Sequence, residues 1–317
     1  MKIKLSISPC PNDTFMFDAL VNGRIDSRGL DFELSFDDIE RLNTSILQGE
    51  AQVSKISCAI LPQVWERYAM LRAGAAMGRG NGPLLVVREG ADVERLLALR
   101  GGDCAGGGSA IGGVGVGVDR AVSGRAGAGV GVDAGGSVCG DAGRSPRVAV
   151  PGEHTTANLL ISKLFPHVAD KPCYLFSDIA DAVARGECDA GVLIHEGRFT
   201  FREKGLALAA DLGAEWEHAT GLPLALGAIV VSRELPQEVQ RTVEELVRES
   251  VTYAFSHQNA SSEFVKCHAR ELSESVTRSH IDMFVNDFSL DVGPDGERAV
   301  RELTGLRDEK LFVARGK

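Results

Sequence analysis

Short apolar runs alternate with amphipathic stretches along most of the chain. Apolar and β-branched residues concentrate in eight segments that predict strands, at 2–6, 32–35, 53–57, 84–87, 147–150, 173–176, 190–195 and 228–232. Between these segments, apolar residues recur at helical spacing, as at Ile39, Leu42 and Ile46. Strands that alternate with helices predict parallel sheets, so the pattern indicates an α/β protein.

One arrangement occurs in both halves of the chain. A helical stretch that opens at Asp38 leads into strand 53–57, and another that opens at Asp178 leads into strand 190–195. Each helical stretch carries a glycine near its end, where helices often stop. Since ligands in open α/β sheets bind beyond the carboxyl ends of strands, the two units predict two similar lobes that face one cleft.

The lobes are expected to be discontinuous, with residues 1–84 and 223–317 forming lobe 1 and residues 85–222 forming lobe 2. Residues 101–145 differ from the rest, because 17 of these 45 residues are glycine and none is aromatic. Glycine at this density loses too much backbone entropy on ordering to build a core. The segment contains no GxGxxG motif and no P-loop lysine. We therefore predict a disordered, dispensable insertion.

Composition and charge narrow the classes of partner. The 317 residues are 44% hydrophobic and 25% charged, with a net charge of −10. This acidic balance argues against nucleic acid or an anionic membrane as partner. Seven cysteines without a CxxC pair favour reduced thiols in the cytoplasm. No signal peptide or apolar run of membrane-spanning length is recognisable, and the sequence does not define the oligomeric state.

The motif SPCPNDTF, from Ser8, joins the first predicted strand to a helix expected to begin near Thr14. Asn12 or Asp13 is the predicted cap of that helix. Cys10 is a candidate nucleophile, because a thiol near a helix N-terminus is activated. No histidine occupies a recognisable partner motif, however, so a structural turn is the favoured interpretation.

A second helix is predicted to begin near Thr155 and Thr156, after the turn at Pro151 and Gly152. The first N–H groups of a helix lack intrahelical partners, and the helix dipole is positive there. Such an end can hold a carboxylate, with the Thr156 hydroxyl as a further donor. The alternative is a capped helix that binds nothing.

His195 is the leading catalytic candidate. The apolar strand AGVLI delivers it beside Glu196 at a strand end, an arrangement that suits a general base. A metal site is disfavoured, because HExxH is absent and His154 is the only other histidine in a predicted cleft loop. A surface or hydrogen-bonded histidine is the alternative. The other five histidines are interpreted as surface or packing residues.

Seven stretches in order resemble one known family, the 1,4-dihydroxy-6-naphthoate synthases of the futalosine route to menaquinone. They cover almost the whole chain outside 101–145. The stretches are SPCPNDTF, KISCAI, GRGNGPLLV, AVPGEHTTA, GECDAGVLIHEGRFT, DLGAEWEHATGLPLALGAI and FVNDFSLDVGPDGERAV. The resemblance implies a two-lobed type-2 periplasmic-binding-protein-like fold with an interlobe cleft.

The resemblance also implies an activity and a site. It implies a carbon–carbon lyase, without cofactor or metal, that cleaves cyclic dehypoxanthinyl futalosine into 1,4-dihydroxy-6-naphthoate and a sugar-derived fragment. His195 would be the catalytic base. The implied substrate contacts are Lys55, Ile56, Ser57, Thr156 and Ala157. The alternatives are a non-catalytic solute-binding protein, which the missing signal peptide disfavours, and the related chorismate dehydratase, which the IHEGRF stretch disfavours.

Overall fold

The structure is a computed structural model that describes residues 1–100, 145–195, 197–269 and 272–315, without the side chain of Arg95. Except for Ser145, the predicted insertion lies outside these residues, and its disorder stays a prediction.

The described strands form two sheets. Their bounds are β1 Lys2–Ile7, β2 Asp31–Phe36, β3 Val53–Ser57, β4 Tyr68–Met70, β5 Ala76–Gly78, β6 Leu84–Arg88, β7 Val148–Ala149, β8 Ala190–Leu193, β9 Leu206–Asp211 and β10 Leu224–Ser232. In the first sheet the order is β2-β1-β3-β10, and β4 and β5 both pair with the far edge of β10. In the second sheet the order is β7-β8-β6-β9.

Helices cover both sheets. Their bounds are α1 Pro11–Val21, α2 Ile39–Gln48, α3 Leu61–Val64, α4 Val93–Leu97, α5 Thr156–Leu164, α6 Ile179–Ala184, α7 Gly197–Thr200, α8 Leu212–Thr220, α9 Gln237–Ser256, α10 Ser262–His268, α11 Glu274–Phe284, α12 Asp287–Leu290 and α13 Gly293–Thr304. Short 3₁₀ turns occur at Cys58–Ile60, Phe201–Lys204 and Glu309–Leu311.

The repeated arrangement is present in the structure. Helices α2 and α6 are each followed by a glycine with positive φ, 81° at Gly49 and 77° at Gly186. This left-handed conformation favours glycine and ends the helix. The strands that follow are β3 and β8. Strand β3 lies between the parallel strand β1 and the antiparallel strand β10. Strand β8 lies in the same way between the parallel strand β7 and the antiparallel strand β6. The two sheets therefore share a central arrangement.

The largest apolar cluster extends across both sheets and includes Ile56 and Val230 from the first and Val148 and Val192 from the second. A second cluster packs the first sheet against α1 and α9, and a third packs the second sheet against α6. The strands of the first sheet come from residues 2–78 and 224–232, and those of the second from 84–211. The exact lobe boundaries stay predictions.

Several local predictions are wrong. Helix α1 begins at Pro11 rather than near Thr14, because proline suits the first helical turn. Its N-cap is Cys10, without a side-chain cap, so neither Asn12 nor Asp13 caps it. Segment 173–176 forms no strand and contributes only a bridge from Cys173 to Val150. Strand β8 ends at Leu193, two residues before the predicted end.

Candidate active site

A cavity of about 670 Å³, including its opening to solvent, lies where β1, β3 and β8 end. Ser8 follows β1, Ser57 ends β3 and His195 follows β8, and all three line the cavity. The start of α5 and one face of α11 also line the cavity. The candidate site thus lies at the carboxyl ends of strands from both sheets, as the two repeated units predict.

A buried ion pair lines the cavity. The ammonium of Lys55 is 2.7 Å from Oδ1 of Asp13, with side-chain exposures of 5% and 0%. Asp13 also accepts hydrogen bonds from the Ser8 hydroxyl at 2.6 Å and from the Asn12 amide at 2.8 Å. Gly227 makes room for the lysine, because a Cβ there would lie 2.9 Å from its Cε. The carboxylate is thereby held rigidly by three partners.

His195 contacts a cysteine that lies 185 positions away in the sequence. Its Nδ1 lies 3.6 Å from Sγ of Cys10, and its ring meets the edge of Phe176 at a centroid distance of 5.0 Å. The backbone of His195 has a φ of 51°, a left-handed conformation that non-glycine residues adopt rarely. Strain of this kind persists where the surrounding structure fixes it, as at functional sites.

A second histidine stacks on His195. The ring of His280, on α11, is nearly parallel to it at a centroid distance of 5.6 Å. Burial, followed by the nearby His195 and Lys55, lowers the pKa of His280 well below its usual 6.5. The ring is therefore neutral at pH 7. Its Nε2 lies 3.1 Å from the side-chain amide oxygen Oδ1 of Asn12 and must donate, because that oxygen only accepts.

The start of α5 is tied to the first sheet. Thr155 caps the helix by accepting a hydrogen bond from the Asn158 N–H at 3.2 Å. The Thr156 hydroxyl donates to the carbonyl of Leu226 at 2.7 Å and accepts from the N–H of Ala59 at 3.3 Å. Because its single proton is already donated, this hydroxyl cannot also donate to a carboxylate in this arrangement.

The structure brings most of the predicted residues together. Five of the six line the cavity: Lys55, Ser57, Thr156, Ala157 and His195. Ile56 is fully buried in the core, because successive side chains of a strand point to opposite faces. Ser57 accepts a hydrogen bond from the Asn43 amide at 3.0 Å. His154 lies 2.6 Å from Glu40 through Nδ1.

Sequence reasoning missed three residues that line the cavity: Asn81, Arg198 and His280. His280 was interpreted as a surface or packing residue, and it is fully buried beside His195. The quoted stretches GRGNGPLLV and IHEGRF contain Asn81 and Arg198, but no spacing rule marked either one. Within the described ranges, no group of three or more His, Cys, Asp or Glu residues is placed to hold a metal ion. None of the described helices is long and apolar enough to cross a membrane.

Two sheets that meet at a cavity between their strand ends define a periplasmic-binding-protein-like fold. Solved structures share it. The ligand-binding component of a Staphylococcus aureus ABC-type import system has a TM-score of 0.60 at 10% identity, over 96% of this chain and 90% of that one. A Candida albicans protein with the generic periplasmic binding protein fold has a TM-score of 0.58 at 10% identity, over 100% and 99%. An Archaeoglobus fulgidus protein reaches a TM-score of 0.74 at 28% identity, over 95% of both chains.

Sequence comparison defines the family. The menaquinone biosynthesis family model matches residues 3–101 and 121–309. A 1,4-dihydroxy-6-naphthoate synthase from Thermus thermophilus is 40% identical, over 98% of this chain and 96% of the relative. Another from Streptomyces coelicolor is 37% identical, over 99% and 96%. The chain belongs to the menaquinone biosynthesis family that includes these synthases.

Proposed function

We propose that the protein is a carbon–carbon lyase that converts cyclic dehypoxanthinyl futalosine into 1,4-dihydroxy-6-naphthoate and a sugar-derived fragment. Two relatives that are up to 40% identical over nearly the whole chain are named 1,4-dihydroxy-6-naphthoate synthases, and these names support the proposed product. The observation that carries the mechanism is the position of His195 in the cavity with Nδ1 at Cys10.

His195 is the general base in this proposal. With Nδ1 turned toward Cys10, Nε2 is the ring nitrogen that takes the proton. The lowered pKa of the neighbouring His280 makes it a weaker base, and Lys55 is paired with Asp13, so neither competes for that role. The proton removed from the substrate as the carbon–carbon bond breaks returns to the sugar-derived fragment. The imidazole therefore ends each cycle neutral, and the reaction needs no cofactor.

The substrate carboxylate is assigned to the start of α5. Because Asn158 already donates to Thr155, the N–H groups of Thr156 and Ala157 are the donors that face the ligand. The positive end of the helix dipole favours an anion there. From the first sheet, Ser57 contributes its hydroxyl, and Ile56 can contribute only its backbone.

Lobe 1, residues 1–84 and 223–317, and lobe 2, residues 85–222, enclose a small-molecule substrate between them. A cytoplasmic location fits seven cysteines without a CxxC pair.

The test is turnover by purified full-length protein. Incubation with the cyclic substrate should release 1,4-dihydroxy-6-naphthoate, measured by chromatography. Binding without release would instead assign the chain to the non-catalytic solute-binding class. A parallel incubation with chorismate tests the other alternative. Formation of a dehydrated product from chorismate would favour the dehydratase.

A His195→Asn variant tests the base. Asparagine tolerates the positive φ at this position, whereas alanine would add backbone strain. Turnover should fall by about 10²–10⁴-fold, the usual contribution of a positioned base, while product affinity changes little. The matched control is His167→Asn, at an exposed position outside the cavity. Nearly full activity in His195→Asn would remove this residue from the mechanism.

A further inference from the structure

Asn81 presents a buried amide to the cavity. It lies on the segment between β5 and β6, is 1% exposed and lines the cavity wall. Neither its amide nitrogen nor its amide oxygen has a hydrogen-bond partner among the described residues. A buried amide without a partner loses the hydrogen bonds it made to water, so native proteins rarely retain one without a reason.

Arg198, on α7, adds a second unpartnered group to the same wall. Its side chain is 9% exposed, and Nη2 donates to the carbonyl of Gly80, next to Asn81, at 3.1 Å. Nη1 is buried and has no partner within the part of the chain that the structure describes. Two elements that are far apart in sequence therefore bring unpartnered polar groups to one side of the cavity.

The backbone around Asn81 is shaped to hold it. A Cβ at Gly78 would lie 2.7 Å from the Asn81 amide nitrogen, so glycine there leaves space for this side chain. A Cβ at Gly82 would lie 2.2 Å from the Cα of Gly213, so the segment packs directly against the start of α8. The segment that carries Asn81 is thus closely packed before any ligand binds.

The donors and acceptor at this wall select a class of ligand group. Arg198 Nη1 and Asn81 Nδ2 donate, whereas Asn81 Oδ1 only accepts. A carboxylate would satisfy the donors and leave Oδ1 without a partner. A hydroxyl accepts from a donor and also donates to Oδ1. Arg198 excludes a cation, and Asp211, 3.8 Å away, already offsets its charge.

We infer that Asn81 and Arg198 form a hydroxyl-binding subsite for the sugar-derived part of the substrate. This inference rests on the proposed function, because that function supplies a substrate whose carboxylate is bound at α5 and whose sugar-derived part carries hydroxyls. The subsite therefore makes Asn81 and Arg198 determinants of specificity, separate from the base and from the carboxylate site.

The experiment measures two ligands on the wild-type protein and on the Asn81→Leu and Arg198→Met variants. One ligand is the cyclic substrate, and the other is 2-naphthoate, which keeps the aromatic carboxylate and lacks every hydroxyl. In both variants, KM for the substrate should rise at least tenfold, while Kd for 2-naphthoate should change less than twofold. Asn259→Leu, at an exposed position outside the cavity, is the matched control and should match wild type.

Stability without ligand gives an independent measurement. Removing a buried amide that has no partner should raise the Tm of Asn81→Leu, on the order of 2 °C. A higher Tm with a higher KM supports the subsite and shows that the variant is folded. A KM within threefold of wild type, or a parallel loss of 2-naphthoate affinity, would overturn the inference. Wild-type protein that releases no naphthoate would overturn the proposed function instead.

Discussion

Replacing Lys55 with methionine should destabilise the protein strongly, because the change leaves a charged carboxylate buried without its cation. The ammonium lies 2.7 Å from Asp13, whose side chain is fully buried. Breaking a buried pair by removing one partner costs about 3–5 kcal/mol. Ser8 and Asn12 still donate to the carboxylate after the change, so the lower end of this range, about 3 kcal/mol, is expected.

The assay is urea unfolding followed by circular dichroism, with the midpoint and slope fitted together. The matched control is Lys204→Met, which removes a lysine 2.7 Å from Asp181 where the side chains are 38% and 49% exposed. Such exposed pairs contribute about 0–1 kcal/mol. The two variants remove ion pairs of equal length, so their difference isolates the effect of burial.

A double variant separates the loss of the ion pair from the cost of the lone buried charge. Lys55→Met with Asp13→Asn removes both charges and leaves an amide oxygen that accepts from Ser8. It should recover roughly 2 kcal/mol of the loss, because no buried charge remains without a partner. The reasoning fails if Lys55→Met costs no more than Lys204→Met, or if the double variant is no more stable than Lys55→Met alone.

Three further predictions follow from the site. For the carboxylate, 2-naphthamide should bind about 1.5–3 kcal/mol more weakly than 2-naphthoate, and equal affinities by calorimetry would mean that α5 does not hold the anion. For His280, the lowered pKa in the folded protein means that, just below pH 6.5, this imidazole takes up a proton only in the unfolded chain. The free energy of unfolding should therefore fall as pH drops below about 6.5, by up to about 1.4 kcal/mol per pH unit from this group, and His280→Gln should lack that component. For Cys10, iodoacetamide should abolish turnover of wild type but not of Cys10→Ser, whereas Cys58, whose pKa burial raises to about 12, should not react in the folded protein. Full activity after Cys10 is alkylated would contradict its placement beside His195.

Local chemistry made much of the fold predictable. The β-branched runs at β1, β3 and β6 and the helix-ending glycines at 49 and 186 are short-range signals, and the structure confirms them. Strand β9 was missed, because its sequence LALAAD is rich in alanine and lacks β-branched residues. Strands β4 and β5 are only three residues long. Segment 173–176 has residues typical of strands, but in the folded protein it forms only one β-bridge, from Cys173 to Val150.

Parts of the candidate site were predictable only where one short stretch of sequence determines the local structure. The strand end at His195 and the helix start at Thr156 are of this kind. The contact between Cys10 and His195 joins positions 185 residues apart, and no local pattern encodes it. His280 lies on an amphipathic helix, where its sequence context resembles that of any packing residue. Asn81 is distinguished only by its missing hydrogen-bond partners, which a sequence does not record.

The position of β10 has a consequence for synthesis on the ribosome. This strand pairs with β3 on one side and with β4 and β5 on the other, yet it lies about 170 residues after β3 in the chain. At about 5–20 residues per second, roughly 8–35 s pass between the two. During that time the open edge of β3 has no strand to pair with, and such edges promote aggregation. The second sheet, complete by Asp211, can form first, so the nascent chain is expected to need chaperone protection chiefly for its N-terminal portion.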